Sequence, residues 1–357
     1  MIGILLDSKY SESLWCKSIY KSLTERLRHH RIAFCEVVTN VDAKLEAIFI
    51  IASDREWTLS AVAQLNRNGI KPILICNQSE MLTGCMYSCV CSDINASMKN
   101  LLDTLKSQSK SRIALYGINT DSISDISRVD SLMSWRDENF EALQIFNNNG
   151  SLQKCFQEFH KKIDDFDAVI CANDFSAVSL VRNLRRLAPD KLRNLTIISC
   201  AATRISDCYR DNILSLNMNF SQYGEAAVYI YNALKKQSYL SEMMVKILWS
   251  LDGPDEVPSE PHPFNLELSS SGDGFYSDPE LNEMMIVDKI LETADETEVE
   301  IIKGLLLDKT VEEIAENCFM SSSGVKYRIK KLIESSNAKS KSQAVLLLKK
   351  YIGEKEQ

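Results

Sequence analysis

The sequence predicts an α/β protein of two lobes followed by a small all-α domain, and three observations carry that prediction. From residue 1 to about 250, short apolar runs alternate with helical patterns, the signature of parallel strands joined by crossover helices. A fresh strand–helix series opens near Arg112, and ten strand candidates are many for one sheet, so two lobes account for them better than one. Five of the seven prolines (Pro254, Pro258, Pro261, Pro263, Pro279) then crowd beside the run SSSGDG, which reads as a linker over 251–279. The domains expected are therefore 1–250, the linker, and a helical domain over 280–357 with few contacts back across the linker.

In chain order the strands are expected at 2–6, 32–38, 47–52, 72–76, 89–92, 112–117, 142–146, 168–172, 196–200 and 213–216. Helices are expected at 13–28, 58–68, 94–106, 128–138, 152–163, 175–187 and 223–236. Beyond the linker, Met284, Met285, Val287, Asp288, Ile290 and Leu291 predict a further helix over 281–293.

The tail holds the most specific pattern. Val311, Ile314, Ala315 and Cys318 recur at i, i+3, i+4 and i+7, one apolar stripe of a helix. Thr310 and Glu313 form a capping-box signature at its start. After a turn around Phe319 and Met320, Ser321 offers a second cap. The helix that follows repeats the stripe with Val325, Ile329, Leu332 and Ile333, so Ser323, Tyr327, Lys330 and Lys331 point the other way, flanked by Lys326 and Arg328. From Lys326 to Lys350 there are eight basic residues and one acidic residue, Glu334, a net of +7 inside a chain of formal charge −8. A basic island on an acidic chain is an electrostatic footprint, and a helix, a turn and a basic-faced helix can present side chains to a major groove. A pair of core helices with a solvated lysine face is the plainer alternative.

Composition narrows the rest. The 45% apolar content is that of globular protein, and no apolar run approaches a membrane span. The opening MIGILLDSKY lacks the basic leader of a secretory signal. Eleven cysteines include no Cys-x-x-Cys pair, and the four histidines share no metal-ligand spacing with them. The expectation is a cytoplasmic protein with no cofactor and no metal.

Two resemblances sharpen this reading. The segment from about Asp295 to Tyr351 resembles the LuxR/GerE type of helix-turn-helix domain, through Glu298, Glu300, the triplet Glu313-Ile314-Ala315, Ser321, the pair Val325-Lys326 and the run SKSQAV from Ser340 to Val345. It departs where Asp308-Lys309 stand for the usual Gly-Leu, Gly324 for Thr, and Ser335-Ser336 for Lys-Leu. The first 250 residues resemble the sensor domain of the lactose/galactose repressor family, which shares the fold of periplasmic sugar-binding proteins. MIGILLD, SRIALYGI with SRVDSLMSW, FDAVICANDFSAVSLVRNLRRL, NLTIISC and FSQYGEAAVYIYNAL follow in the family's order. That resemblance implies a ligand held at the carboxyl ends of the strands, near Asp7 and Tyr10 after the first strand, Arg128 at the start of a helix, and Asn173 and Asp174 after another strand. Alternatively Asp174 only caps the following helix and Arg128 is solvated. Where the family carries a sugar-binding acid, this chain has Ala201 and Ala202.

Three functions follow. A transcription regulator would use Lys326, Tyr327 and Lys330 at base edges and Ser321, Ser323, Lys331, Lys339 and Lys341 at the DNA backbone, as a homodimer answering a small-molecule effector or a partner. An interaction protein would dock its tail on the transcription machinery, such as RNA polymerase, and use the lobes to dimerise. An enzyme would need more than the carboxylates Asp7, Asp54 and Asp174, since no nucleophile–base pair or phosphate loop accompanies them.

Overall fold

The computed structural model describes residues 2–8, 14–37, 45–52, 54–76, 84–120, 122–135, 140–200, 203–252 and 277–353. The first half runs β1 (Ile2–Leu6), α1 (Leu14–His29), β2 (Phe34–Val37), β3 (Ala47–Ile51), α2 (Arg55–Arg67), β4 (Lys71–Ile75), β5 (Ser88–Ser92) and α3 (Ile94–Ser107). It continues through β6 (Arg112–Ile118), α4 (Ile123–Trp135), β7 (Ala142–Asn147), α5 (Leu152–His160), β8 (Ala168–Cys171), α6 (Asp174–Leu187), α7 (Pro189–Asn194) and β9 (Thr196–Cys200). Then come α8 (Arg204–Asp207), β10 (Ile213–Asn217), α9 (Phe220–Lys236), β11 (Met244–Ile247) and β12 (Ser250–Asp252). The tail is all helix: α10 (Pro279–Thr293), α11 (Glu296–Leu306), α12 (Val311–Asn317), α13 (Ser322–Ser335) and α14 (Lys341–Ile352).

The strands build two six-stranded sheets, in the orders β11-β5-β4-β3-β1-β2 and β12-β10-β9-β8-β6-β7. Pairing is parallel for β1 with β2 and β3, and for β8 with β9, while β12 runs antiparallel to β10. Strands such as AIFII at β3 are buried at every position, because helices cover both faces of a parallel sheet. This is the periplasmic-binding-protein-like fold, two α/β lobes with a helical C-terminal region.

By contacts the chain forms two compact units: Met1–Ile113 with Thr120–Leu143 and Ser215–Ser269, and Ala114–Asn119 with Gln144–Leu214 and Ser270–Gln357. In the first, α1 lies so close to α9 that a Cβ on Gly224 would come within 2.4 Å of the Leu23 backbone nitrogen. In the second, an aromatic cluster fills the core, with Phe159 edge-on to Tyr116 at 5.5 Å and to Phe146 at 5.3 Å between ring centroids.

The strand expectations all find a counterpart within two residues at each end. The helices differ more. Ser122 Oγ accepts from the Asp125 amide and starts α4 at Ile123, so Arg128 lies inside that helix and not at its start. Contacts also assign α4 to the first unit, whereas the series opening near Arg112 placed it with the second. The short strands β11 and β12 were not expected, since MVKI and SLD are too brief to show a period. The other correction concerns the tail. Few contacts were expected between it and the lobes, yet α10 packs on α6 and α8, and its Leu281, Met284, Val287 and Ile290 are buried.

Candidate functional site

The helices α11 to α13 rest on a small core of their own. Ile301 and Leu305 of α11, Ile314 and Ala315 of α12, and Val325 and Ile329 of α13 form one buried cluster, with Leu332, Ile333 and Val345 packed against it. Each helix has a side-chain cap: Asp295 and Thr310 make complete capping boxes with Glu298 and Glu313. Ser321 accepts from the Gly324 amide at 3.2 Å and Ser340 from the Gln343 amide at 3.2 Å. The turn before α12 uses Asp308 at φ 55°, a conformation that Asp tolerates where Gly is usual. Gly304 lets α11 and α12 touch, since a Cβ there would lie 2.7 Å from Ile314 Cγ1.

With Val325 and Ile329 turned inward, Ser323, Lys326, Tyr327 and Lys330 form an exposed face of α13; Tyr327 is 72% exposed. Arg328 instead turns toward α11, where Nη1 lies 2.6 Å from Asp295 and 3.3 Å from Glu298; these carboxylates raise its pKa and Arg328 holds that of Asp295 low. Lys331 reaches Glu298 at 3.3 Å. Lys349 pairs with Asp308 at 2.5 Å and Lys350 with Glu283, so part of the basic island is neutralised within the fold. Lys339 and Lys341 stay exposed at the start of α14.

The residues expected at a ligand divide between the two units. In the first, Asp7 is buried at the end of β1, its amide donating to Ile51 O at 3.0 Å. Arg128, 7% exposed, is not solvated: it pairs with Asp125 and donates to Ser124 Oγ at 3.0 Å. Tyr10, Ala201 and Ala202 lie outside the described residues. In the second unit, Asn173 and Asp174 stand together after β8. Asn173, not Asp174, caps α6, accepting from the Ser176 amide at 2.9 Å. Asp174 is fully buried; its carboxylate accepts from the Thr203 amide and, at 3.1 Å, from Ser206 Oγ. Burial pushes its pKa up, while these donors and Ser199 pull it down. Among the described residues no group of three His, Cys, Asp or Glu could hold a metal ion, and no helix is long and apolar enough to cross a membrane.

A second set of polar contacts, not foreseen, fixes the tail to the second sheet's helices. Asp278 accepts from the Leu152 amide at the start of α5 at 2.6 Å, and Glu280 meets Arg182 of α6 at 3.0 Å and Ser179 at 3.1 Å. The Arg182 guanidinium lies 4.4 Å over the Tyr351 ring, and Tyr209 donates to the Tyr351 carbonyl. Asp288 accepts from the Ile205 amide at 2.8 Å. The sequence holds one signal for these: Asp278-Pro279-Glu280 is a helix-start signature, and its cap lies within the span expected as linker.

Comparison with solved structures places the fold. The chain resembles AraP, an arabinose binding protein from Geobacillus stearothermophilus (TM-score 0.57, 12% identity, 71% of this chain and 96% of that one). It also resembles the Lac repressor bound to ONPG (0.52, 13%, 70% and 80%) and the CelR–cellobiose complex, a transcriptional regulator (0.51, 13%, 70% and 83%). At these identities the likeness is one of fold. No family profile matches the sequence, and no curated protein does.

Proposed function

We propose that the protein is a DNA-binding transcription regulator whose two α/β lobes sense a small molecule and whose tail, a LuxR/GerE-type helix-turn-helix, reads double-stranded DNA. The observation that carries this reading is the exposed face of α13, where Ser323, Lys326, Tyr327 and Lys330 stand on the inward pair Val325 and Ile329. Lys326, Tyr327 and Lys330 are assigned to base edges; Ser321, Ser323, Lys331, Lys339 and Lys341 to phosphates and sugars. A homodimer in the cytoplasm, reading two half-sites, is the arrangement this motif favours.

The solved structures that share the fold include two regulators and an arabinose binding protein, which supports a sensing role for the lobes. Asp7, Tyr10, Arg128, Asn173 and Asp174 are kept as the effector candidates that the resemblance implies, Asp174 also holding the turn at Thr203. With Ala201 and Ala202 in place of a sugar-binding acid, an effector other than a simple sugar fits this reading better. A second reading, docking on RNA polymerase, draws on Phe319, a 98% exposed aromatic in the turn before α13. Selection of bound sequences from random DNA by the full chain tests the first: it predicts enrichment of a two-fold symmetric site. Enrichment of nothing, with capture of RNA polymerase instead, would favour the second.

A further inference from the structure

The short helix α8 is held by two acids, one from α6 and one from α10. Its own cap residue, Thr203, makes no side-chain capping bond. The Thr203 amide instead goes to Asp174 at the first position of α6, which also takes Ser206 Oγ at 3.1 Å. The Ile205 amide goes to Asp288 Oδ1 at 2.8 Å, from the middle of α10. Both acids are buried, Asp288 at 2% exposure and Asp174 at 0%. Thus one turn of chain, directly after β9 and residues 201–202, binds the sensor side through Asp174 and the reading side through Asp288. From α10 the contact continues to α13 and α14.

We propose that α8 is a relay: a change at the β8 and β9 strand ends moves the first turn of α8 and, through the Ile205–Asp288 bond, shifts α10 and the reading helices it carries. The relay rests on the proposed function only for what it controls; its mechanical part stands without DNA. A buried hydrogen bond has no water to replace it, so a displacement of α8 must be followed by α10 or leave the Ile205 amide and Asp288 unsatisfied. Linkage makes the coupling reciprocal.

Hydrogen exchange on the full chain, read by mass spectrometry, tests this. Asp174→Ala should speed exchange at 203–206 by about 10-fold or more, and the acceleration should extend over 279–293. Asp288→Ala should speed exchange at the start of α6, and Asp288→Asn, which keeps an acceptor for Ile205, should restore it. Should Asp174→Ala fail to fold, the two Asp288 variants read the same coupling from the other side. Wild-type exchange in α10 when α8 is loosened, or in α6 when Asp288 is removed, overturns the relay. A chain with coupled exchange and no affinity for DNA keeps the relay and loses the DNA-reading assignment instead.

Discussion

Asp288 sits between Val287 and Ile290 on the buried stripe of α10, where burial pushes its pKa up to about 8 against the Ile205 amide, which pulls it down. The negative charges of Asp174, Glu292 and Asp207 add to the rise. The folded chain therefore keeps a proton that the unfolded chain, with an ordinary value of 3.8, has lost. Stability falls as pH rises from about 4 to about 8 and levels off above. Asp174 and Glu280, also raised by burial, act with the same sign. Asp288→Asn should flatten that slope and raise the melting temperature at pH 8 relative to wild type. Melting curves at pH 5 and pH 8 check this, and an unchanged difference between the two would place the titration elsewhere. At the same scale, the sequence leaves Arg128 as a solvated or ligand-facing cation, and the structure pairs it with Asp125 three residues before it. That partner was visible in the sequence only once the helix start at Ser122 was known.

At the scale of the element, α12 and α13 depend on two backbone positions. Gly304→Ala would push a Cβ to 2.7 Å from Ile314 Cγ1 and should cost about 1–3 kcal/mol in urea unfolding. Phe319, at φ 52° and almost wholly exposed, carries strain without packing in return. Phe319→Gly should leave the melting temperature equal or higher, while a clear drop would mean that the ring packs in solution. The elements were well marked in the sequence: apolar runs located the strands, and Thr310, Glu313 and Ser321 located α12 and α13. Less legible was which acids would be buried. Asp288 fell on the apolar stripe of its helix, but only the fold brings the Ile205 amide to it, across 83 residues of chain. In the same way Asp174 looked like a cap, and the bond to Thr203 that defines its place is a tertiary one.

For the whole molecule, the contacts of α10 and α14 make the tail part of the second unit. Excised residues 280–357 would expose Leu281, Met284, Val287 and Ile290, buried together in the full chain. The fragment should remain helical by circular dichroism, since α11–α14 keep their own core, but melt at a lower temperature than those helices do in the intact protein. An equal melting temperature would mean that the lobe contacts contribute nothing. The central claim, that the face of α13 reads DNA, is tested most directly by the affinity of the full chain for its selected DNA site measured across salt concentrations. Log Kd should rise linearly with log salt, with a slope that reports the phosphates neutralised. Lys341→Ala should reduce that slope by about one. Lys330→Ala should weaken binding to that site by about 1–3 kcal/mol and relax its preference at one base position. A full chain whose binding is flat in salt, or a folded Lys330→Ala protein with unchanged affinity and preference, would contradict the account.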